Sequence, residues 1–129
     1  MGTTLNRVFL AFRDMAPSER LVEWKHVSNA LEEHAAKRCG GRPINLDPGY
    51  ITSAKLVLAS TKDFAHRIAI GNAIYAEVTL LFRYGAWVSH DYTFPEYRMP
   101  TYHGFLSNVR TYHVAELRLI RMSGSSPDS

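Results

Sequence analysis

Cysteine occurs once in this chain, at Cys39, so no disulfide can form within it and no thiolate-based zinc site can be assembled. Long hydrophobic runs are missing as well, since no stretch approaches the ~18 apolar residues of a membrane span. The opening MGTTLNRVFLAFRD lacks the extended apolar core and small-residue cleavage site of a secretory signal. A myristoylation pattern fails at Asn6, where Ser or Thr is wanted. No five or six basic residues follow one another, which removes the usual tract for binding nucleic acid by charge. These absences lead us to expect a cytoplasmic protein in a reducing compartment.

Familiar catalytic signatures are absent too. Ser60-Thr61-Lys62 lacks the preceding glycines of a phosphate loop. Neither Ser60 nor Thr61 sits in a Gly-x-Ser-x-Gly elbow. His90, His103 and His113 match no metal-ligand spacing, and His26 and His34 stand too far apart along a helix to share an ion. No metal and no cofactor are expected.

What remains is ordinary globular material. The 129 residues suit one core, and 46% hydrophobic with 21% charged residues argues against global disorder. A net charge of +3 permits an anionic partner without requiring one.

Val8–Phe12 is a short continuous apolar run and reads as a buried strand. Pro17 and Glu19 suit a helix start. Leu21, Trp24, Val27, Leu31 and Ala35 recur at three- and four-residue steps, predicting a helix over Pro17–Lys37 with that stripe buried. Lys37, Arg38 and Gly40-Gly41 close it. After an extended connector, Pro48-Gly49 reads as a turn. Lys55–Ser60 is apolar on both faces and reads as a central strand. Ala65–Ile70 is a second strand, joined through a Gly71-Asn72 hairpin to Ala73–Arg83. In that long strand Ile74, Ala76, Val78, Leu80 and Phe82 share one face, and Tyr75, Glu77, Thr79, Leu81 and Arg83 the other.

Tyr84-Gly85 turns the chain again into Ala86–Ser89. The segment from His90 to Thr101 is irregular and aromatic. A second helix starts at Thr101 with Phe105, Val109 and Tyr112 on its buried side. Val114–Met122 either continues that helix or forms a last strand. Residues 123–129 read as a disordered tail beyond a single domain over 1–122. The expected fold is α+β: a mostly antiparallel meander of four to five strands, with one long helix packed on a face and a second helix at the C-terminus.

The candidate site follows from the hairpin. With Gly71-Asn72 as a two-residue loop, His66 faces Glu77 and Ile68 faces Tyr75, with opposing β-carbons about 5 Å apart. A carboxylate there fixes the imidazole tautomer, and Lys62 and Arg67 add positive charge nearby. Such a cluster can hold a phosphate or a proton-transfer pair. It can equally be a cross-strand salt bridge on a wet face, which contributes little. A register slip of one residue would separate the pair.

Several longer motifs carry a resemblance. Asn45-Leu-Asp-Pro-Gly-Tyr50, Lys55-Leu-Val-Leu-Ala-Ser-Thr-Lys62, His66-Arg67-Ile68, Ile74-Tyr-Ala-Glu-Val-Thr-Leu80 and Pro95-Glu-Tyr-Arg98 together resemble the bacterial family called domain of unknown function 4416. The likeness runs from about Leu5 to Tyr112. It implies that the chain lacks the N-terminal strand–helix segment usual in that family. A sheet edge left open that way would favour a homodimer or a partner chain. The guanine-nucleotide label attached to some members finds no Asn-Lys-x-Asp motif here.

The leading expectation is therefore binding of a small phosphorylated or otherwise anionic ligand, a nucleotide foremost, by Lys62, His66, Arg67, Glu77 and Arg98. Whether any reaction follows is left open. The alternative is a non-enzymatic protein-interaction or dimerisation module using an open sheet edge and the Tyr92–Tyr102 loop. Single-stranded RNA stacking on that loop ranks third, and a membrane partner is not expected.

Overall fold

In the computed structural model, which describes residues 8–38, 40 and 44–122, five antiparallel strands form one open sheet between two helices. The chain runs α1 (Leu21–Arg38), β1 (Gly49–Ile51), β2 (Lys55–Ser60), β3 (Ile68–Gly71), β4 (Ile74–Arg83), β5 (Ala86–Ser89) and α2 (Pro100–Met122). The α+β expectation holds, with one step out of sequential order: β2 pairs with β4, and β3 lies beyond β4. Cys39, Gly41 and the expected tail at 123–129 lie outside the described residues.

β4 organises the sheet. Along one edge it pairs with β2; along the other it pairs first with β3 and then with β5. Leu56 stands opposite Leu80 and Val57 opposite Val78, so Thr79 is an extra residue. A bulge of this kind reverses the side-chain alternation beyond it. Ile74 therefore packs with Val57, Ala59 and Leu21 of α1, beside Ala76 and Val78. Leu80 packs with Leu56, Trp87 and Leu106 of α2 on the opposite face, beside Phe82. The single apolar face expected for Ile74 to Phe82 is thus divided between two cores.

The α1 stripe also differs from expectation. Leu21 is buried, but Val27 and Leu31 are about half exposed, and Lys25 and Ser28 face inward instead. Only the first turns of α1 meet the sheet, so helix rotation is set elsewhere. The Glu32 carboxylate accepts the Leu46 amide at 2.8 Å and binds the returning chain to this polar side. The Lys25 stem can cover apolar surface with its aliphatic part.

Gly49 does not turn the chain but opens β1, pressed against β2. A β-carbon there would stand 2.4 Å from the Val57 carbonyl oxygen. Gly40 takes φ +68 at the end of α1, as a left-handed cap requires. Tyr84 and Gly85, at φ 51 and 78, form the expected tight turn between β4 and β5. Between β3 and β4 the reversal falls on Asn72 and Ala73, at φ 51 and 61, one residue later than Gly71-Asn72.

The run Val8–Phe12 is no strand. Phe9 alone turns inward, onto Tyr102 and Phe105 at 4.4 and 5.1 Å between ring centres, while Val8, Leu10 and Phe12 are exposed. The open choice for 114–122 resolves as helix, because α2 continues to Met122. Its fully buried anchor is Leu106, with Phe105 partly covered, whereas Tyr112 faces outward.

Candidate functional site

The chemistry-bearing residues gather at an interruption in the sheet. β3 pairs with β4 only as far as Ala76, and β5 begins at Leu80. The intervening residues Glu77, Val78 and Thr79 have no strand on that edge, and buried backbone polar groups need partners. Two flanking segments supply them. Tyr92 donates its hydroxyl to the Val78 carbonyl at 2.7 Å, and Thr93 donates to the Thr79 carbonyl at 2.8 Å.

Glu77 is the centre of the arrangement. It points to the same side as Leu58, its β2 partner, and is only 4% exposed. Oε1 accepts from His66 Nε2 at 2.7 Å and from Arg67 Nε at 3.1 Å; Oε2 accepts from the Thr79 hydroxyl at 2.8 Å. Burial pushes this carboxyl up. The hydrogen bonds from Thr79, His66 and Arg67, with the Arg67 charge, outweigh burial and hold it below the ordinary 4.5. Glu77 is therefore ionised at neutral pH.

His66 and Arg67 reach Glu77 from a turn, not from a strand. The Arg67 amide donates to the Phe64 carbonyl at 3.0 Å, closing a turn over Phe64–Arg67 just before β3. Arg67 stands opposite Glu77 by extension of the Ile68–Ala76 pairing. Its guanidinium also donates to Ser60 Oγ at 2.8 Å and to the Lys62 carbonyl at 3.2 Å, and lies 4.3 Å from the Phe64 ring centre. The side chain is 6% exposed, so this cation is committed to the protein.

His66 is more open, with its side chain 23% exposed. An ionised carboxylate only accepts, so Nε2 carries the hydrogen and the Nδ1 lone pair is left over in the neutral ring. The Tyr92 ring lies flat on the imidazole, 3.9 Å between centres at 12°, and His90 stacks on the far side of Tyr92 at 4.9 Å. Burial and the Glu77 charge push the Tyr92 phenol up, which keeps it a neutral donor.

Of the five residues singled out from the sequence, His66, Arg67 and Glu77 are in direct contact. Lys62 is exposed at the entrance to the same turn; its carbonyl holds Arg67, and among the described residues nothing engages its ammonium. Arg98 stands apart from them. It donates to the carbonyls of His90, Asp91 and Thr93, and so braces the loop that carries Tyr92.

Thr79, Ser60, Tyr92 and Thr93 were not anticipated as participants. Thr79 was readable, because it lies two residues from Glu77 on one strand; the other three carry no local signal. Tyr97 and Tyr102 of the aromatic loop turn into the α2 core, leaving Phe94 exposed.

The cluster forms an edge rather than a chamber. The two clearest depressions, of about 320 and 290 Å³, lie elsewhere, one beside Ser18, Tyr50 and Ile70 and the other beside Phe12 and Val109. Among the described residues no three His, Cys, Asp or Glu are placed to hold a metal, and no helix is long and apolar enough to cross a membrane. No curated protein and no solved structure matches the chain. A family model does match, over residues 1–113, and by that match the chain belongs to the family described as domain of unknown function (DUF4416).

Proposed function

We propose that the protein binds a small phosphorylated or otherwise anionic ligand at the exposed edge of the His66–Glu77 pair, in the cytoplasm. The supporting observation is the 2.7 Å contact between His66 Nε2 and a buried carboxylate held ionised by three donors. This pairing leaves Nδ1 as the ring atom available to a ligand. When the ring is protonated both nitrogens donate, so Nδ1–H meets an anion while Nε2–H stays on Glu77. Arg67 offsets the Glu77 charge, so protonation of His66 would leave net positive charge at the edge. The Lys62 ammonium can meet the same anion from the turn. Arg67, Glu77 and Arg98 position the site without touching the ligand.

Binding at an open edge is weaker than in an enclosed pocket, because less surface is covered. Titration with inorganic phosphate and ribose 5-phosphate, followed by thermal shift and by the His66 imidazole resonances, tests the reading. Stabilisation that rises with ligand concentration is expected, and is lost in His66→Ala and reduced in Lys62→Ala. A melting temperature and His66 signals unmoved by millimolar phosphate esters would remove it.

A second reading, a protein-interaction surface, rests on the outer edge. All four residues of β3 are exposed, Ile68 at 70%, and such an edge offers unpaired backbone groups to another strand. Concentration-dependent sedimentation that Ile68→Lys abolishes would favour this reading over the first.

A further inference from the structure

The turn that carries His66 also carries Phe64, a large apolar side chain left 42% exposed. Exposed phenylalanines are common enough singly. This one is fixed in place. The Arg67 guanidinium lies against one ring face, 4.3 Å from its centre, and Arg67 is itself fastened by Glu77, Ser60 and the Lys62 carbonyl. A cation on one face holds a ring without using the other. The ring centre is 6.0 Å from that of His66, at an interplanar angle of 48°.

We infer that the ligand of this site is an aromatic phosphate of the nucleoside monophosphate class, its base stacked on the Phe64 face turned away from Arg67 and its phosphate on His66 Nδ1. The inference rests on the anion site proposed above and adds the identity of the group beside the anion. A sugar joins base and phosphate in such a ligand, and a pentose spans the short step between the two rings. Stacking on an immobilised ring costs little ordering on the protein side. The site offers one ring and one anion position without a basic tract alongside, which suits a free mononucleotide rather than a strand.

Adenosine monophosphate, ribose 5-phosphate and a 5′-phosphorylated tetra-adenylate, titrated by calorimetry against the full chain, test the assignment. Stacking of one base predicts that adenosine monophosphate binds about tenfold more tightly than ribose 5-phosphate. Phe64→Leu keeps apolar cover over Arg67 but removes the π face. It should abolish that ratio while leaving ribose 5-phosphate affinity unchanged, and Phe64→Tyr should restore the ratio. Equal affinities for the two monophosphates in the wild type would overturn the inference and leave the anion site standing. Tetra-adenylate binding well above adenosine monophosphate would overturn the assignment to a free mononucleotide. Failure of all three to bind would overturn both the inference and the reading beneath it.

Discussion

Glu77 and Arg67 face each other across the β3–β4 edge, Oε1 to Nε 3.1 Å, with each side chain only 6% exposed. A buried ion pair of this kind adds little compared with an apolar pair of the same shape, but it cannot lose one member cheaply. The orphaned charge would stay in a place that water scarcely reaches.

Glu77→Gln is therefore expected to destabilise the fold by about 3 kcal/mol at neutral pH. Urea unfolding followed by circular dichroism measures it. The double variant Glu77→Gln with Arg67→Met should recover part of the loss, because it removes the stranded cation.

Acid should weaken the protein through the same carboxylate. Glu77 titrates below the ordinary 4.5 when folded, so the unfolded chain takes up its proton first as pH falls. The stability it contributes is complete above the unfolded value and drains away as pH drops through the folded one. Unfolding free energies measured from pH 6 downward should fall in the wild type below about pH 4.5 and fall less steeply in Glu77→Gln. Parallel curves would mean that Glu77 is not the coupled group.

Arg98 makes its prediction through the loop it braces. It donates to three carbonyls around Tyr92, the closest being that of His90 at 2.6 Å. Arg98→Ala should cost about 1 kcal/mol, the usual net contribution of a hydrogen bond. The amides of residues 90–93 should also exchange faster, and the Tyr92 ring-current shift on His66 should shrink. An unchanged shift would show that Tyr92 and Thr93 hold the loop without Arg98, through their bonds to the Val78 and Thr79 carbonyls.

Gly49 is held to its identity by β2. A methyl group would press on the Val57 carbonyl oxygen at 2.4 Å and on Leu58 Cδ2 at 2.6 Å, and the backbone atom cannot move aside. Gly49→Ala should therefore destabilise by about 2 kcal/mol and release β1, seen as faster exchange of the Tyr50 and Ile51 amides.

Much of this could be read from residue order. The alternation through Ala73–Arg83 located the long strand, and the meeting of His66 with Glu77 was expected from the adjacent turn. The contact forms by a different route, however. The register is one residue off the anticipated one, and in a plain hairpin that slip would have parted the pair. They meet because His66 sits in the Phe64–Arg67 turn, free of the strand's alternation, while Arg67 takes the cross-strand place. The Thr79 bulge was not legible, since nothing in a Val-Thr-Leu run marks an extra residue. The rotation of α1 was hidden for a similar reason: Leu21, Trp24, Val27 and Leu31 form a good apolar stripe, yet only Leu21 and Trp24 reach the core, while Val27 and Leu31 lie outward and Glu32 takes the Leu46 amide.

The slipped turn leaves its own mark on stability. Its second central residue is Ala73, at φ 61, where a β-carbon crowds the backbone and glycine does not. The sequence pointed to Gly71-Asn72 because alanine is a poor choice for such a position, yet the bulge between Ala69 and Gly71 moves the reversal onto it. Ala73→Gly should relieve that strain and stabilise the protein by about 0.5–1 kcal/mol, although glycine also loosens the unfolded chain. Asn72 already tolerates its φ of 51, so Asn72→Gly should change stability by only a few tenths of that. Matched thermal melts of the two variants decide the point. If Ala73→Gly proved destabilising while Asn72→Gly proved stabilising, the reversal would lie on Gly71-Asn72 after all, and Arg67 would no longer stand opposite Glu77.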